Sequence, residues 1–418
     1  MRITVVAIGS RGDVEPLVAL AGALDRAGHR VRIGTAPDFA GMVEGAGLDF
    51  VRVGPSAREV LSDSEGRKMI SGAGGVGAQA IRLRRLLEPV AEGLANDLCN
   101  AVDDAEALLF TPLVNVGDVT EQLGVPSMLV SLWPKNRTSA FPAVGFPEAP
   151  LLGGPYNRLT HVLLEQLAWR PFQRQGNRIR HTFGQLPLRW NTPLGYAHKR
   201  RQSVLYGFSE SVVPRPPDWG PWLHMAGYWF NEPAPSWSPP ADLVRFLDAG
   251  EPPVVITFGS MASWDPTRLA RVASEALARS GRRGVLVGGF DRAELDDDRI
   301  CYVPEIPYHW LLPRAAAVVH HGGAGTTAAT LRAGVPSVIV PFFGDQPFWA
   351  RRVVELGAGT KPIRGLSAAK LTAAIRQATS DPGIAANAAR VGRRLRAEDG
   401  LSHAVNVVER HFEQFAYS

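Results

Sequence analysis

Apolar and polar positions alternate in blocks along the first third of the chain. Residues 2–8 form a short apolar run rich in β-branched side chains, stopped by Gly9, and predict a buried strand. Over residues 15–27 apolar side chains recur at helical spacing. They put Leu17, Leu20, Ala21 and Leu24 on one face, with Gly28 as the stop. Residues 30–35, 107–111 and 127–132 predict further strands. Strands that are apolar throughout, alternating with amphipathic helices, predict a parallel sheet covered on both faces.

The pattern then breaks and resumes. Residues 133–156 are rich in Pro and Gly and predict long loops, and 157–185 predict helix. Residues 212–240 hold eight prolines and four tryptophans (Trp219, Trp222, Trp229, Trp237), a composition suited to a linker packed on a surface. Strands are predicted again at 253–258, 284–288, 300–303, 315–320 and 336–341, with a helix at 266–279 and a helical last thirty residues. Two α/β halves follow: Rossmann-like domains with parallel sheets facing a central cleft. The expected boundaries are 1–215, a linker at 216–240, a second domain at 241–400, and a C-terminal helix at 401–418 packing back on the first.

Composition narrows the class without naming it. Of 418 residues, 45% are hydrophobic and 20% charged, enough to fill two cores. No apolar stretch is long enough to span a membrane, and the N-terminus lacks the grammar of a signal peptide. Cys99 and Cys301 have no metal-knuckle spacing and fit a reducing cytoplasm. The net charge of +5 is Arg-dominated, and the clusters at 82–85 and 393–396 lack interleaved aromatics. They read as solvated helix faces rather than nucleic-acid contacts.

Four short stretches carry candidate chemistry. Residues 317–329 read as strand, glycine turn (His320, His321, Gly322, Gly323) and helix start (Ala324, Gly325, Thr326, Thr327). Free N–H groups and the dipole at such a helix start favour a diphosphate, although a plain tight turn reads the same way. A metal site at the paired histidines is disfavoured, because no further ligand follows at a suitable spacing. The second stretch is 340–349, where Asp345 and Gln346 pair a carboxylate with an amide, suited to sugar hydroxyls or, more plainly, to a helix cap. The third is the first βα turn, Gly9 to Asp13. It is no dinucleotide fingerprint, and Asp13 suits either a general base or a cap. In the fourth, Trp133, Phe141 and Phe146 offer an apolar wall for an acceptor, or simply packed loop aromatics. The acidic triplet 296–298 reads as a solvated turn.

On these motifs the chain resembles family 1 GT-B glycosyltransferases. The resemblance is carried by Val303-Pro304, Trp310 to Pro313, His320 to Thr327, Asp345-Gln346 and the opening Gly9 to Pro16, which resembles the branch of sterol glucosyltransferases and antibiotic glycosyltransferases. It implies a GT-B fold and an inverting, metal-independent and cofactor-free transfer from a nucleotide diphosphate sugar. UDP-glucose is favoured over a dTDP-deoxysugar, and the acceptor is a lipophilic hydroxylated small molecule. A nucleotide-sugar epimerase or hydrolase is the alternative of another class. Val303, Pro304 and Trp310 would hold the base. Ser260 and the His321 turn (Gly323, Ala324, Gly325, Thr326) would hold the diphosphate, with Ser10 and Arg11 near the phosphates or base. Asp345 and Gln346 would hold the sugar, and Asp13 would be the base. The resemblance implies no nucleic-acid partner, at most weak peripheral membrane contact, and a monomer or homodimer.

Overall fold

The computed structural model describes residues 1–416 apart from 57–80, 82–84, 86–90, 113–123, 183–185, 189–191, 232–236 and 296; a few further side chains, Ser260 among them, also lie outside the description. The chain divides into two compact units. Unit 1 holds residues 1–210, 214–231 and 399–418, and unit 2 holds 211–213 and 232–398. The expected linker is therefore shared out: 214–231 belong to unit 1, and unit 2 resumes at 232. The physical reason is burial, since Trp219 and Trp229 are inside the core of unit 1 instead of lying on a surface.

Among the described residues, unit 1 is built on seven parallel strands. These are β1 (Arg2–Val6), β2 (Arg30–Thr35), β3 (Asp49–Arg52), β4 (Ala107–Phe110), β5 (Ser127–Ser131), β6 (Val204–Tyr206) and β7 (Leu223–Met225), in the order β3-β2-β1-β4-β5-β6-β7. Val5 of β1, an interior strand, pairs with Ile33 on one side and Leu109 on the other. The first helix, α1 (Arg11–Arg26), starts four residues earlier than its apolar periodicity does, because Ser10 caps it. Its buried Leu17, Leu20, Ala21 and Leu24 cover the sheet. Further along lie α2 (Ala91–Val102), α3 (Gly153–Trp169) and α4 (Pro193–Lys199). The C-terminal helix (Gly400–Ala416) returns to this unit, where Glu409 Oε1 lies 3.1 Å from His29 Nε2. Gly400 permits that return: a side-chain carbon there would sit 2.3 Å from the carbonyl oxygen of Tyr228.

Among the described residues, unit 2 holds five parallel strands, β8 (Val254–Thr257), β9 (Gly284–Val287), β10 (Ile300–Val303), β11 (Ala317–His320) and β12 (Ser337–Ile339), in the order β10-β9-β8-β11-β12. Alternate residues of β8 enter opposite layers. Val254 and Ile256 join the core with Leu286 and Val319, whereas Val255 joins the one with Val285 and Val318. Burial on both faces explains the unbroken apolar runs. The helices bearing on the site are α5 (Pro266–Ser280), α6 (Ala324–Ala333) and α7 (Gln346–Glu355). Arg393 and Arg394 are exposed on the helix Pro382–Arg396, while residues 82–84 of the other basic cluster, and Asp296 of the acidic triplet, lie outside the described residues. Among the described residues no helix is long and apolar enough to cross a membrane.

Candidate active site

Because every strand of unit 2 runs the same way, the loops after β8, β9, β10, β11 and β12 leave from one edge of the sheet. That edge is lined by glycine. Gly259, Gly288 and Gly322 all have positive φ (55°, 108° and 89°). At Gly322 the need is also steric: a side-chain carbon would lie 2.8 Å from Ile339 Cγ2 and 3.1 Å from the backbone oxygen of Gln346. The chain then enters α6 through Gly323, with no side chain capping the helix start. The N–H groups of a first helical turn have no partner inside the helix, so this start presents donors and the positive end of a dipole.

His321 stands beside that turn. Burial pushes its ring down to about 4 and that of His320 to about 3, the latter helped by its neighbour. His320 is fully buried, and its Nδ1 accepts the Gly322 N–H at 3.2 Å. His321 keeps an open edge, but its Nδ1 is buried without a partner. Both rings are thus neutral at physiological pH. What His321 offers an anion is an N–H rather than a full positive charge. Thr326 is half-buried at the same helix start, and Thr327 is buried with an unpartnered hydroxyl.

After β12 the chain turns through Gly344 (φ 64°) into α7. Asp345 takes the position before the helix, and its Oδ2 accepts the Trp349 indole N–H at 2.8 Å. Gln346 is buried, and its Oε1 accepts the N–H groups of Phe342 (2.7 Å) and Phe343 (3.2 Å). That use of the carbonyl fixes the orientation of the amide and leaves its NH₂ without a described partner. Both residues therefore build the loop as well as lining it.

The remaining expectations for unit 2 fare unequally. Ser260 has its backbone in the short helical turn Gly259–Trp264 after β8, with its side chain outside the described residues. Val303 ends β10, and its carbonyl accepts the Gly288 N–H at 3.1 Å; Pro304 is exposed just beyond. Trp310 is not brought to this edge. Its ring packs against Trp237 (5.7 Å between centroids) and under the Arg314 guanidinium (4.4 Å), and it lines a groove of about 460 Å³ with Pro252 and Pro253, which precede β8. The resemblance implies that Trp310 shapes the base pocket; in this structure its indole faces the groove that it shares with Pro252 and Pro253. Two groups that sequence reasoning missed do lie at the glycine edge, Thr257 and Tyr308, whose hydroxyls are 2.9 Å apart.

In unit 1 the first βα turn is organised around Asp13. Its Oδ2 accepts the Ser10 N–H and the Ser10 hydroxyl, while Oδ1 accepts nothing from the described residues. Gly9 (φ 150°) is required beside it, since a side-chain carbon there would fall 2.5 Å from Oδ2. Desolvation raises the Asp13 carboxyl above the ordinary carboxylate range, against the two Ser10 bonds that lower it, although the residue keeps some exposed surface. Arg11 is exposed and pairs with Glu15 at 3.1 Å. Trp133, Phe141 and Phe146 are all half-buried in the segment that follows β5. Beneath that segment lies a polar cluster with no signal in the sequence. Glu165 is buried and held by Arg137 through two bonds (2.8 and 2.6 Å), and Lys135 is buried nearby with its ammonium pushed down to about 7 by desolvation, against the attraction of Glu165. Among the described residues no group of three His, Cys, Asp or Glu is placed to hold a metal ion.

Two successive α/β units with all-parallel sheets are the architecture of the GT-B class of glycosyltransferase folds. Residues 3–142 match the glycosyltransferase family 28 N-terminal domain, and residues 291–407 match the C-terminal domain of erythromycin biosynthesis protein CIII-like proteins. The chain is 37% identical to the O-mycaminosyltylonolide 6-deoxyallosyltransferase of Streptomyces fradiae, across 98% of this chain and 97% of that one. It is 36% identical to a sterol 3-beta-glucosyltransferase of Cryptococcus neoformans across 99% of its own length, but spans only 27% of that longer protein. The solved glycotransferase of kitacinnamycin shares the fold, with a TM-score of 0.73 at 22% identity and coverage of 98% and 99%. The chain belongs to the GT-B glycosyltransferase family that includes sterol glucosyltransferases and macrolide glycosyltransferases.

Proposed function

We propose that this glycosyltransferase moves a hexose from a nucleotide diphosphate sugar to a hydroxyl of a lipophilic small molecule, with inversion and without a metal. The observation that carries the reading is the uncapped start of α6 behind Gly322 and Gly323, with a neutral His321 beside it. Such a start stabilises charge that develops on a departing diphosphate. Asp13 Oδ1 takes the proton from the acceptor hydroxyl as the new bond forms at the anomeric carbon. The old bond to the diphosphate breaks with its electron pair leaving on phosphate oxygen. The Gln346 NH₂ and Asp345 hold the sugar, and the half-buried aromatics after β5 receive the acceptor. UDP-glucose is the favoured donor. A dTDP-deoxysugar is the second reading, favoured by the full-length likeness to a deoxyallosyltransferase.

A donor screen with UDP-glucose and dTDP-deoxysugars, each with and without sterol and macrolide aglycones and with EDTA present, tests this. The expected result is nucleoside diphosphate release that requires an aglycone, survives EDTA and gives the inverted anomer. Donor turnover without any aglycone would transfer the reading to an epimerase or hydrolase.

A further inference from the structure

Helix α3 is amphipathic the wrong way round. Its buried residues are Thr160, His161 and Glu165, and its outward stripe is leucine: Leu159 (54% exposed), Leu163 (43%) and Leu167 (40%). The four-residue spacing keeps the three on one face, and Leu152 (60%), seven residues before Leu159, extends the same stripe. Leu151 is fully exposed, as is most of Leu186. Single exposed leucines need no explanation, but a contiguous row marks a surface that meets something apolar.

The inversion is held in place by polar bonds. Glu165 binds Arg137 and accepts the Thr192 hydroxyl at 3.2 Å, Thr160 accepts the Ala143 N–H at 2.8 Å, and His161 Nε2 lies 3.2 Å from the Phe141 carbonyl. Rotating the helix to bury its leucines would break all of these, so the apolar row is fixed outward.

Charge identifies what it meets. Residues 151–201 carry nine Lys or Arg and one acid, and that acid is the buried Glu165. A chain whose net charge is +5 therefore concentrates more than all of that excess in one segment. Arg170 and Arg174 are exposed just after α3, while Arg158, exposed on the helix itself, pairs with Asp218 at 3.7 Å. Contact of this face with a second copy of itself would oppose like charges. A nucleic acid would be met by stacking aromatics rather than leucines. Leucines rimmed by arginine match an anionic lipid bilayer, with the apolar row in the acyl boundary and the guanidinium groups on headgroup phosphates.

We propose that α3 docks this protein on anionic membrane surfaces through Leu152, Leu159, Leu163 and Leu167. The proposal is independent of the donor and acceptor assignments. Co-flotation of the full chain with vesicles of phosphatidylcholine alone, or doped with phosphatidylglycerol, tests it. The wild type should float with the doped vesicles at low salt and less with phosphatidylcholine alone. The Leu159→Gln/Leu163→Gln/Leu167→Gln triple variant should bind at least about tenfold more weakly, with melting temperature and nucleotide affinity unchanged. Arg170→Glu/Arg174→Glu, which leaves the leucines intact, should lose the preference for phosphatidylglycerol. A wild type that floats with neither vesicle, or a triple variant that floats equally well, would overturn the proposal. So would a wild-type dimer that the triple variant turns into monomer without any flotation, since the row would then be an interface between copies.

Discussion

Asp13 Oδ2 accepts both the backbone N–H and the hydroxyl of Ser10, each at 2.8 Å, and this fixes the direction of its second oxygen. One carboxylate closes a helix start and is the proposed base, so the two roles must be separated by the choice of substitution. Asparagine retains an oxygen to accept from Ser10 but cannot take a proton. Asp13→Asn should lower kcat by about 10²–10⁴, with nucleotide affinity unchanged by calorimetry. Asp13→Ala loses the helix closure as well, at about 0.5–2 kcal/mol. The raised carboxyl adds a sign. A folded-state value above the unfolded one means that ionisation opposes folding, so this contribution is favourable at low pH and is lost as pH rises through the folded-state value. Asp13→Asn should therefore melt no lower than wild type at pH 7, and the acid limb of wild-type kcat should lie above the usual carboxylate range. Full activity in the asparagine variant would remove Asp13 from the chemistry.

Gly322 and Gly323 are adjacent but should fail differently. Gly322 has φ 89° and faces Ile339 and a backbone oxygen, so Gly322→Ala should cost at least about 1–2 kcal/mol of stability. Gly323 has an ordinary φ of −63°, and the three atoms nearest to a side-chain carbon there would all belong to the His321 ring, with Nε2 closest at 2.5 Å. Gly323→Ala should keep the fold and displace His321. Titration calorimetry with free nucleoside diphosphate should show affinity weakened about tenfold, near the lower end for one hydrogen bond to a charged group.

His321 also predicts a pH dependence. Its ring is pushed down to about 4 in the folded state from 6.5. Stability from a depressed histidine is complete above 6.5 and is lost as pH falls toward 4, at up to about 1.4 kcal/mol per pH unit. Urea denaturation between pH 6.5 and 5 should show a shallower decline for His321→Gln than for wild type. Parallel curves would mean that the ring titrates normally.

Gln346 allows the sugar contact to be tested apart from the loop. Glu at this position keeps an oxygen for the Phe342 and Phe343 N–H groups but lacks the NH₂. Gln346→Glu should raise KM for the nucleotide sugar by about tenfold, one lost hydrogen bond, while the Kd of free nucleoside diphosphate moves little. Equal loss for both ligands would place the residue's effect in the loop itself.

What could be read in advance follows from how each feature is encoded. The strands of unit 2 are buried on both faces, so Val254-Val255-Ile256 and Val318-Val319 announce themselves as apolar runs. The half-exposed edge strand Asp49–Arg52 and the three-residue strands Val204–Tyr206 and Leu223–Met225 are too short or too polar to show a period. The turn from His320 to Gly323 was legible because glycine and strand ends are local. The packing of Trp310 was not legible, because its partner Trp237 is far away in sequence and no local pattern pairs two distant indoles. The inverted face of α3 depends on Arg137 and Thr192, and burial of polar residues against distant partners leaves no periodic trace.

Lys135 is the sharpest case of burial against type, and it leads to a prediction that does not depend on the reaction. Its ammonium lies beneath the segment after β5, and desolvation brings it to about 7 from 10.5 while Glu165 opposes the shift. Between these two values the unfolded chain holds a proton that the folded chain has released. Stability should therefore increase as pH rises from 7 toward 10, at up to about 1.4 kcal/mol per pH unit, and should level off below 7. Lys135→Met removes the buried ammonium and should flatten that slope, leaving the variant the more stable of the two near pH 7. The comparison is best made by urea denaturation in which the unit 1 transition is followed through its buried Trp219 and Trp229. Coincident slopes for the two proteins would mean that Lys135 reaches water and that the cluster around Glu165 is open rather than sealed.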